Sequence, residues 1–193
     1  MSTDRESLIR RVAGEHLRLS ASEVRTIAAS MIPIRRAPAE SLFSAADAPS
    51  AFVLFERGLV RTYAIDADGR ERNLRFLAGP NLAAALSSVI RGTATEEWVA
   101  AVTAVEGYRG DFNALQSHPQ FGALMRALAE QHFLSLERRV RTLQQPFAKA
   151  RYRVFVEEMD PAIIEAMPDH HVASYLGVTP ETLSRAKRNL RAD

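Results

Sequence analysis

The chain contains no cysteine. Disulfides, thiol nucleophiles, iron–sulfur clusters and thiolate zinc sites are thereby excluded. Histidine is scarce and unevenly placed: His16, His118, His132, His170 and His171 make up the set, and residues 34–112 contain none. A metal cupin needs His and Glu ligands clustered on adjacent strands, so the enzyme reading of a β-domain in that stretch loses its chemistry. No catalytic residue, metal or cofactor is assigned. Long apolar runs are also missing. Nothing approaches the roughly 18 consecutive apolar residues of a membrane-spanning helix, and the first residues, Met1 to Ser7, are polar and charged with no apolar signal core. There is no internal repeat and no low-complexity tract. The formal net charge is only +2, too small for bulk coating of nucleic acid. These absences lead to the expectation of a non-enzymatic, cytoplasmic protein.

What is present suffices for a folded core. The 193 residues are 47% hydrophobic, room for one medium domain and a small one. Leu8, Val12 and Leu19 give one apolar stripe, so Asp4 to about Leu19 reads as a helix. The Ser20-Ala21-Ser22-Glu23 pattern is a capping box that opens a second helix to about Met31, stopped by Pro33. From Ile34 to Phe112 the pattern turns to β. Ala51–Glu56, Leu59–Ile65, Arg70–Leu77, Trp98–Val105 and Gly107–Phe112 are the predicted strands. Asp68-Gly69 between two of them is a strong hairpin signal, because that turn needs positive φ. Many short strands with regular turns indicate an antiparallel roll or sandwich.

Pro119 to Gln145 reads as one long helix, about 40 Å at 1.5 Å per residue. Phe121, Leu124, Leu128, Leu136, Val140 and Leu143 mark one face, interrupted by His132. That length exceeds what a lid on the β-domain needs, and a twin helix would bury the surplus. Phe147–Met159 is a further amphipathic helix with Phe147, Tyr152, Phe155, Val156 and Met159 as core candidates. Pro161 and Pro168 bracket a short connection. Between Arg138 and Arg153 the chain carries Arg138, Arg139, Arg141, Lys149, Arg151 and Arg153 with no acidic residue. This run is either a solvated helix face or a DNA contact.

The most informative segment is 169–190. It predicts a short helix, a glycine turn and a second, basic helix: a helix-turn-helix, which places its second helix in the major groove of duplex DNA. Ala173 is small where the helices approach. Gly177 stops the first helix in the left-handed region. Thr179 suits the N-cap, and Pro180 falls at the first helical position, where its missing N–H costs nothing. Leu183, Ala186 and Leu190 share the buried face. Glu181, Ser184, Arg185 and Arg188 share the opposite one. Arg185 can bind guanine bidentately and Glu181 can accept from cytosine N4. Lys187, Arg188 and Arg191, with the hydroxyls of Thr179 and Thr182, are candidates for phosphate contacts. His170 and His171 open the motif and are further candidates for phosphate.

The order of β-domain, long helix and helix-turn-helix resembles the Crp/Fnr family of bacterial transcription regulators. The stretches that carry the resemblance are Phe55–Tyr63, Asp68–Phe76, Trp98–Glu106 and, most specifically, Val172–Arg185. The resemblance implies an α+β fold: an N-terminal antiparallel β-roll of the cyclic-nucleotide-binding type (a double-stranded β-helix), a long dimerisation helix and a C-terminal helical DNA-binding domain. It places the divisions at 1–117, 118–146 and 147–193. It also implies that the residues matching Glu181 and Arg185 read bases, with Ser184 beside them. Pro180 stands where some members carry a base-reading arginine, so their operator is not transferable.

The same resemblance argues against the family's best-known ligand. Cyclic-nucleotide binders hold the phosphate with a Phe-Gly-Glu element and an Arg-Ser or Arg-Thr pair. This chain reads Asn81-Leu82-Ala83-Ala84 at the first and Thr95-Glu96 at the second, followed by Glu97. A cyclic phosphate needs a cation and free N–H donors, and two carboxylates repel it. Arg91 could substitute only with a shifted loop. Oxygen sensing of the Fnr type needs cysteines, and no histidine is assigned to haem. The expected partners are double-stranded DNA with an inverted-repeat site, a second copy of the chain, an unidentified small-molecule effector and RNA polymerase. The competing reading is a protein-interaction or ligand-sensing module whose helix-turn-helix does not bind DNA.

Overall fold

A computed structural model describes residues 5–14, 18–43, 50–94 and 96–191, with only the backbone of Arg191. The positions of His16, Thr95 and the Arg191 side chain lie outside the described residues. Two helices open the fold, α1 (Arg5–Ala13) and α2 (Ala21–Ala29). The capping box is present: Glu23 N donates to Ser20 Oγ at 3.3 Å, and Ser20 N donates to Glu23 Oε2 at 2.7 Å. The helix expected to reach Leu19 ends at Ala13.

The β-region holds β1 (Ile32–Arg36), β2 (Ser41–Phe43), β3 (Ala51–Arg57), β4 (Leu59–Ile65), β5 (Glu71–Ala78), β6 (Asn81–Ala84), β7 (Trp98–Ala101) and β8 (Val105–Asp111). They form two four-stranded sheets, β1-β8-β3-β6 and β2-β7-β4-β5, paired antiparallel throughout. The α+β roll expected from the sequence is therefore the observed fold. The hairpin joining β4 to β5 turns at Gly69, φ +76°. Asp66 Oδ1 fixes the turn by accepting from the backbone of Asp68 (3.0 Å) and Arg70 (2.9 Å).

Three strands of the roll escaped the sequence reading. β2 and β6 are too short to show a period. β1 contains Pro33, which a strand tolerates only at an edge; β1 pairs with β8 alone. Of the two strands expected over Trp98–Val105 and Gly107–Phe112, the first stops early, at Ala101, and the second starts early, at Val105. Val102 N turns away to donate to Leu59 O at 2.7 Å, which ends β7 before β8 begins. A short helix, α3 (Leu86–Arg91), lies between β6 and β7.

After a 3₁₀ turn (Phe112–Leu115) come α4 (Phe121–Gln144), α5 (Ala148–Glu158), α6 (Pro161–Ala166), α7 (Asp169–Leu176) and α8 (Pro180–Arg191). The expected connection between Pro161 and Pro168 is α6. Pro161 starts it rather than breaking it, and Asp160 caps it by accepting from Ala162 N at 2.8 Å. Phe147, expected in the core, is 72% exposed. It precedes the first turn of α5 as its N-cap and lies off the face that Phe155 and Met159 bury.

Apolar side chains gather in three places. Val53, Phe55, Val60 and Val99 pack between the two sheets. Phe52 and Leu54, the alternate residues of β3, face the other way and meet α1, α2 and the start of α4. β3 is thus buried on both sides, which explains its unbroken apolar sequence. Leu59 and Phe76, on the second sheet, join the core of α5–α8.

Candidate nucleic-acid interface

The helix-turn-helix forms where the sequence places it. α7 ends at Gly177, φ +66°, whose N–H returns to Ala173 and Ser174 carbonyls. An L-residue is strained at that φ, so glycine is there for conformation; a Cβ would find only ordinary contacts, at 3.6 Å. Thr179 Oγ1 accepts from Thr182 N at 3.2 Å, closing the first turn of α8. Leu183 (fully buried) and Ala186 anchor α8 on α7 beside Val172, Ala173 and Leu176. Burying Leu183 alone contributes on the order of 2 kcal/mol.

The outer face is free. Glu181, Ser184, Arg185 and Arg188 are all exposed, as are Pro180 and Asn189. The Glu181 carboxyl is held below its ordinary pKa by its own backbone N–H and by the Thr179 hydroxyl, with Arg185 adding attraction. It is an ionised acceptor at a helix N-terminus, where negative charge is favourable. Glu181, Arg185 and Arg188 thus present one acceptor and two cationic forks along two turns.

Lys187 is placed differently from its neighbours. It is half-buried, ion-paired with Asp169 of α7, and its Nζ lies 5.6 Å from the centre of the Tyr152 ring. Much of the basic run before the motif is also engaged internally. Arg138 and Arg141 pair with Glu158 at 3.6 and 3.4 Å. Arg139 lies over the Tyr175 ring at 5.4 Å. Arg151 donates to Gln145 O at 2.9 Å and Leu176 O at 3.1 Å. These cations lock α4 and α5 to the motif.

α8 is tied to the roll through α7. A β-bulge at Leu74 puts Asn73 and Phe76 on the same side of β5. Asn73 is 1% exposed. Its backbone N–H donates to Ser174 Oγ (3.1 Å), its amide donates to His171 O (3.1 Å), and its Oδ1 accepts from Arg61 (3.0 Å). Ser174 Oγ donates in turn to Glu71 O at 3.0 Å, and Arg61 pairs with Glu71 at 2.7 Å. Beneath this network the rings of Phe76, Phe155 and Tyr175 meet, Phe76 to Tyr175 at 5.1 Å between centroids. His171 faces inward to Asn73 while His170 is exposed. Burial, then the Arg61 and His170 charges, push the His171 pKa down to about 4. The sequence reading missed this joint. Its one available signal was Asn73 within a strand, where asparagine is depleted.

The roll's own polar cavity, about 370 Å³, is lined by Ser87, Ser88, Arg91, Glu96, Glu97 and His132 among others. Glu97 does not wait there for a ligand. Arg75 donates to it at 3.3 Å and Ser87 at 3.2 Å. Arg75 is buried, which lowers its pKa against the opposing pull of Glu97. His132, on α4, has its pKa lowered by burial and by the nearby Arg75 charge. No group of three or more potential metal ligands occurs among the described residues. No helix among them is long and apolar enough to cross a membrane.

Along α4 the apolar stripe divides. Phe121, Leu124 and Leu128 pack inward beside α1 and α2. Farther along, Phe133, Leu134, Leu136 and Val140 are exposed, at 66, 55, 42 and 53%.

No family model and no curated protein matches the chain in sequence. Solved structures do match in fold. FixK2 from Bradyrhizobium japonicum superposes with a TM-score of 0.73 at 19% identity, covering 84% of this chain and 85% of that one. The c-di-GMP-responsive global regulator CLP from Xanthomonas campestris gives 0.72 at 17%, covering 90 and 93%. The CRP-family transcriptional regulator TTHB099 from Thermus thermophilus gives 0.64 at 20%, covering 82 and 84%. The resemblance to Crp/Fnr regulators therefore holds for the fold over most of the chain.

Proposed function

We propose that this chain is a homodimeric, sequence-specific DNA-binding transcription regulator of the Crp/Fnr type, acting without catalysis. The observation that carries the reading is the free face of α8, with Glu181, Ser184, Arg185 and Arg188 exposed above a helix anchored by Leu183 and Ala186. Glu181 and Arg185 read base edges. Arg188, with Thr179 and Thr182, holds phosphate. Lys187 joins them by exchanging Asp169 for a phosphate oxygen. Residues 118–146 supply the dimer contact through Leu136 and Val140, between a sensor unit at 1–117 and the DNA-binding unit at 147–193. The exposed apolar residues of α4 support that arrangement. The effector is a small molecule other than a cyclic nucleotide, since Glu97 already occupies Arg75 and Ser87. RNA polymerase is the further partner of such a regulator, in a cytoplasmic setting.

Two-fold symmetry predicts an inverted repeat with half-sites one DNA turn apart, roughly 34 Å. Selection from a random duplex pool should enrich such a repeat, and binding should weaken steeply with salt through counterion release. Failure to enrich any sequence would defeat the reading. One observation favours a protein-interaction role for the motif instead: Arg138, Arg139, Arg141 and Arg151 are spent internally, so less positive charge faces outward than the sequence suggests. That alternative predicts no salt-dependent duplex binding.

A further inference from the structure

A second cavity lies on the other side of the Arg75–Glu97 pair. Glu97 lines the roll's polar cavity, while Arg75 lines a smaller one of about 60 Å³ between β5, β6 and α4. The ion pair is thus the partition between the two. β5 and β6 supply Leu77 and Leu82 to the smaller cavity. α4 supplies Leu128, Gln131 and Ser135, spaced i, i+3 and i+7 and therefore on one face. The volume is about twice the share of one water molecule in the liquid, roughly 30 Å³.

Arg75 is 9% exposed. Its Nη2 donates to Ala84 O at 3.2 Å and to Glu97 Oε2 at 3.3 Å. Its Nε and Nη1 make no hydrogen bond among the described residues. Neither atom is among the fully buried ones that lack a partner, so each is still reachable. The space that reaches them is the cavity Arg75 lines. A guanidinium carries five N–H donors and stays protonated, so one carboxylate leaves most of its capacity unused. Ser135, on the α4 side of the same cavity, is also uncommitted. Thr142 of α4 turns its hydroxyl back to Arg138 O at 2.9 Å, a usual recourse of a helical hydroxyl. Ser135 Oγ makes no such bond among the described residues.

We propose that this cavity binds a small monovalent oxyanion, the size of nitrate or formate. One oxygen accepts from an Arg75 N–H on the side away from Glu97, and another accepts from the Ser135 hydroxyl. Bonds from a guanidinium to an anion are the stronger, charge-assisted kind. Glu97, beyond the guanidinium, already balances part of its charge, so a divalent anion such as sulfate is rejected. Bound there, the ion ties β5 to α4 one residue before Leu136. Its role as the small-molecule effector rests on the proposed function; the site itself does not.

Thermal melting of the full chain tests the site, with sodium nitrate or sodium formate titrated at constant ionic strength in gluconate. Both ions should raise the melting temperature saturably, and sulfate should not. Ser135→Leu, which fills the cavity from α4, should abolish the rise. Arg75→Met combined with Glu97→Gln removes the donor without leaving a buried charge alone, and should abolish it as well; either variant serves if the other does not fold. Ser135→Ala should weaken nitrate at least fivefold. Absence of a saturable rise with both ions, or a rise that survives in a folded filling or donor variant, overturns the site. An equal rise with sulfate overturns the assignment to a monovalent ion. In a separate arm, saturating nitrate should change operator affinity at least threefold, and an unchanged affinity overturns the effector role. Failure to find any operator defeats the proposed function and leaves the melting result standing.

Discussion

Two cations that the sequence assigns to DNA, one to a base and one to phosphate, are placed differently. Arg185 and Lys187 are both cations on α8, yet Arg185 is exposed while Lys187 is turned back to Asp169. Helical geometry makes the split: two residues apart is about 200° around the axis. Arg185→Ala should therefore lose discrimination at one base pair, by about 1–3 kcal/mol. Quantitative binding to a panel of single-base operator variants checks this, and uniform weakening across the panel would remove the base-reading role. His171 offers a second test. Its pKa, about 4 against an ordinary 6.5, is depressed, so the docked form holds it neutral. That contribution is complete above pH 6.5 and fades as pH falls toward 4, because the released imidazole then takes a proton that the docked one refuses. The wild-type melting temperature should fall more steeply over that window than that of His171→Asn. Parallel curves would count against a buried neutral His171.

At the level of elements, α4 meets two environments along one length. Its first turns close the core with α1 and α2, and its later turns show Leu136 and Val140 to solvent. The sequence stripe joined these residues without revealing where the change falls. Periodicity reports which residues share a face, not which neighbour covers it. Leu136→Asp should yield monomers that bind DNA poorly, measured by light scattering and gel shift; an unchanged dimer would contradict dimerisation through this face. The helix-turn-helix was legible in detail, down to Gly177, Thr179 and the Leu183–Ala186 anchor, because caps and amphipathic spacing are local properties. The strands β1, β2 and β6 were not. Short edge strands are defined by their partners, and those partners lie far away in sequence.

For the whole molecule, the joint between roll and motif matters most. Phe76, Phe155 and Tyr175 make one aromatic cluster from β5, α5 and α7, capped by the Asn73–Ser174–His171 network. The position of α8 is thereby referred to the β4–β5 hairpin of the same chain. A ligand that moves the hairpin would move α8 with it. Cyclic AMP should not be that ligand. With Arg75 and Ser87 committed to Glu97, millimolar cyclic AMP should leave the melting temperature unchanged, and a dose-dependent rise would show that the internal carboxylate can be displaced.

The sequence by itself determined the order of roll, long helix and helix-turn-helix, and the chemistry of the α8 surface, since both follow from local spacing and residue type. Only the tertiary structure decided which cations remain outward, where the stripe of α4 turns from core to surface, and that Asn73 binds the motif to the roll. Those outcomes depend on contacts between residues as much as 103 positions apart, and such contacts leave no periodic trace along the chain.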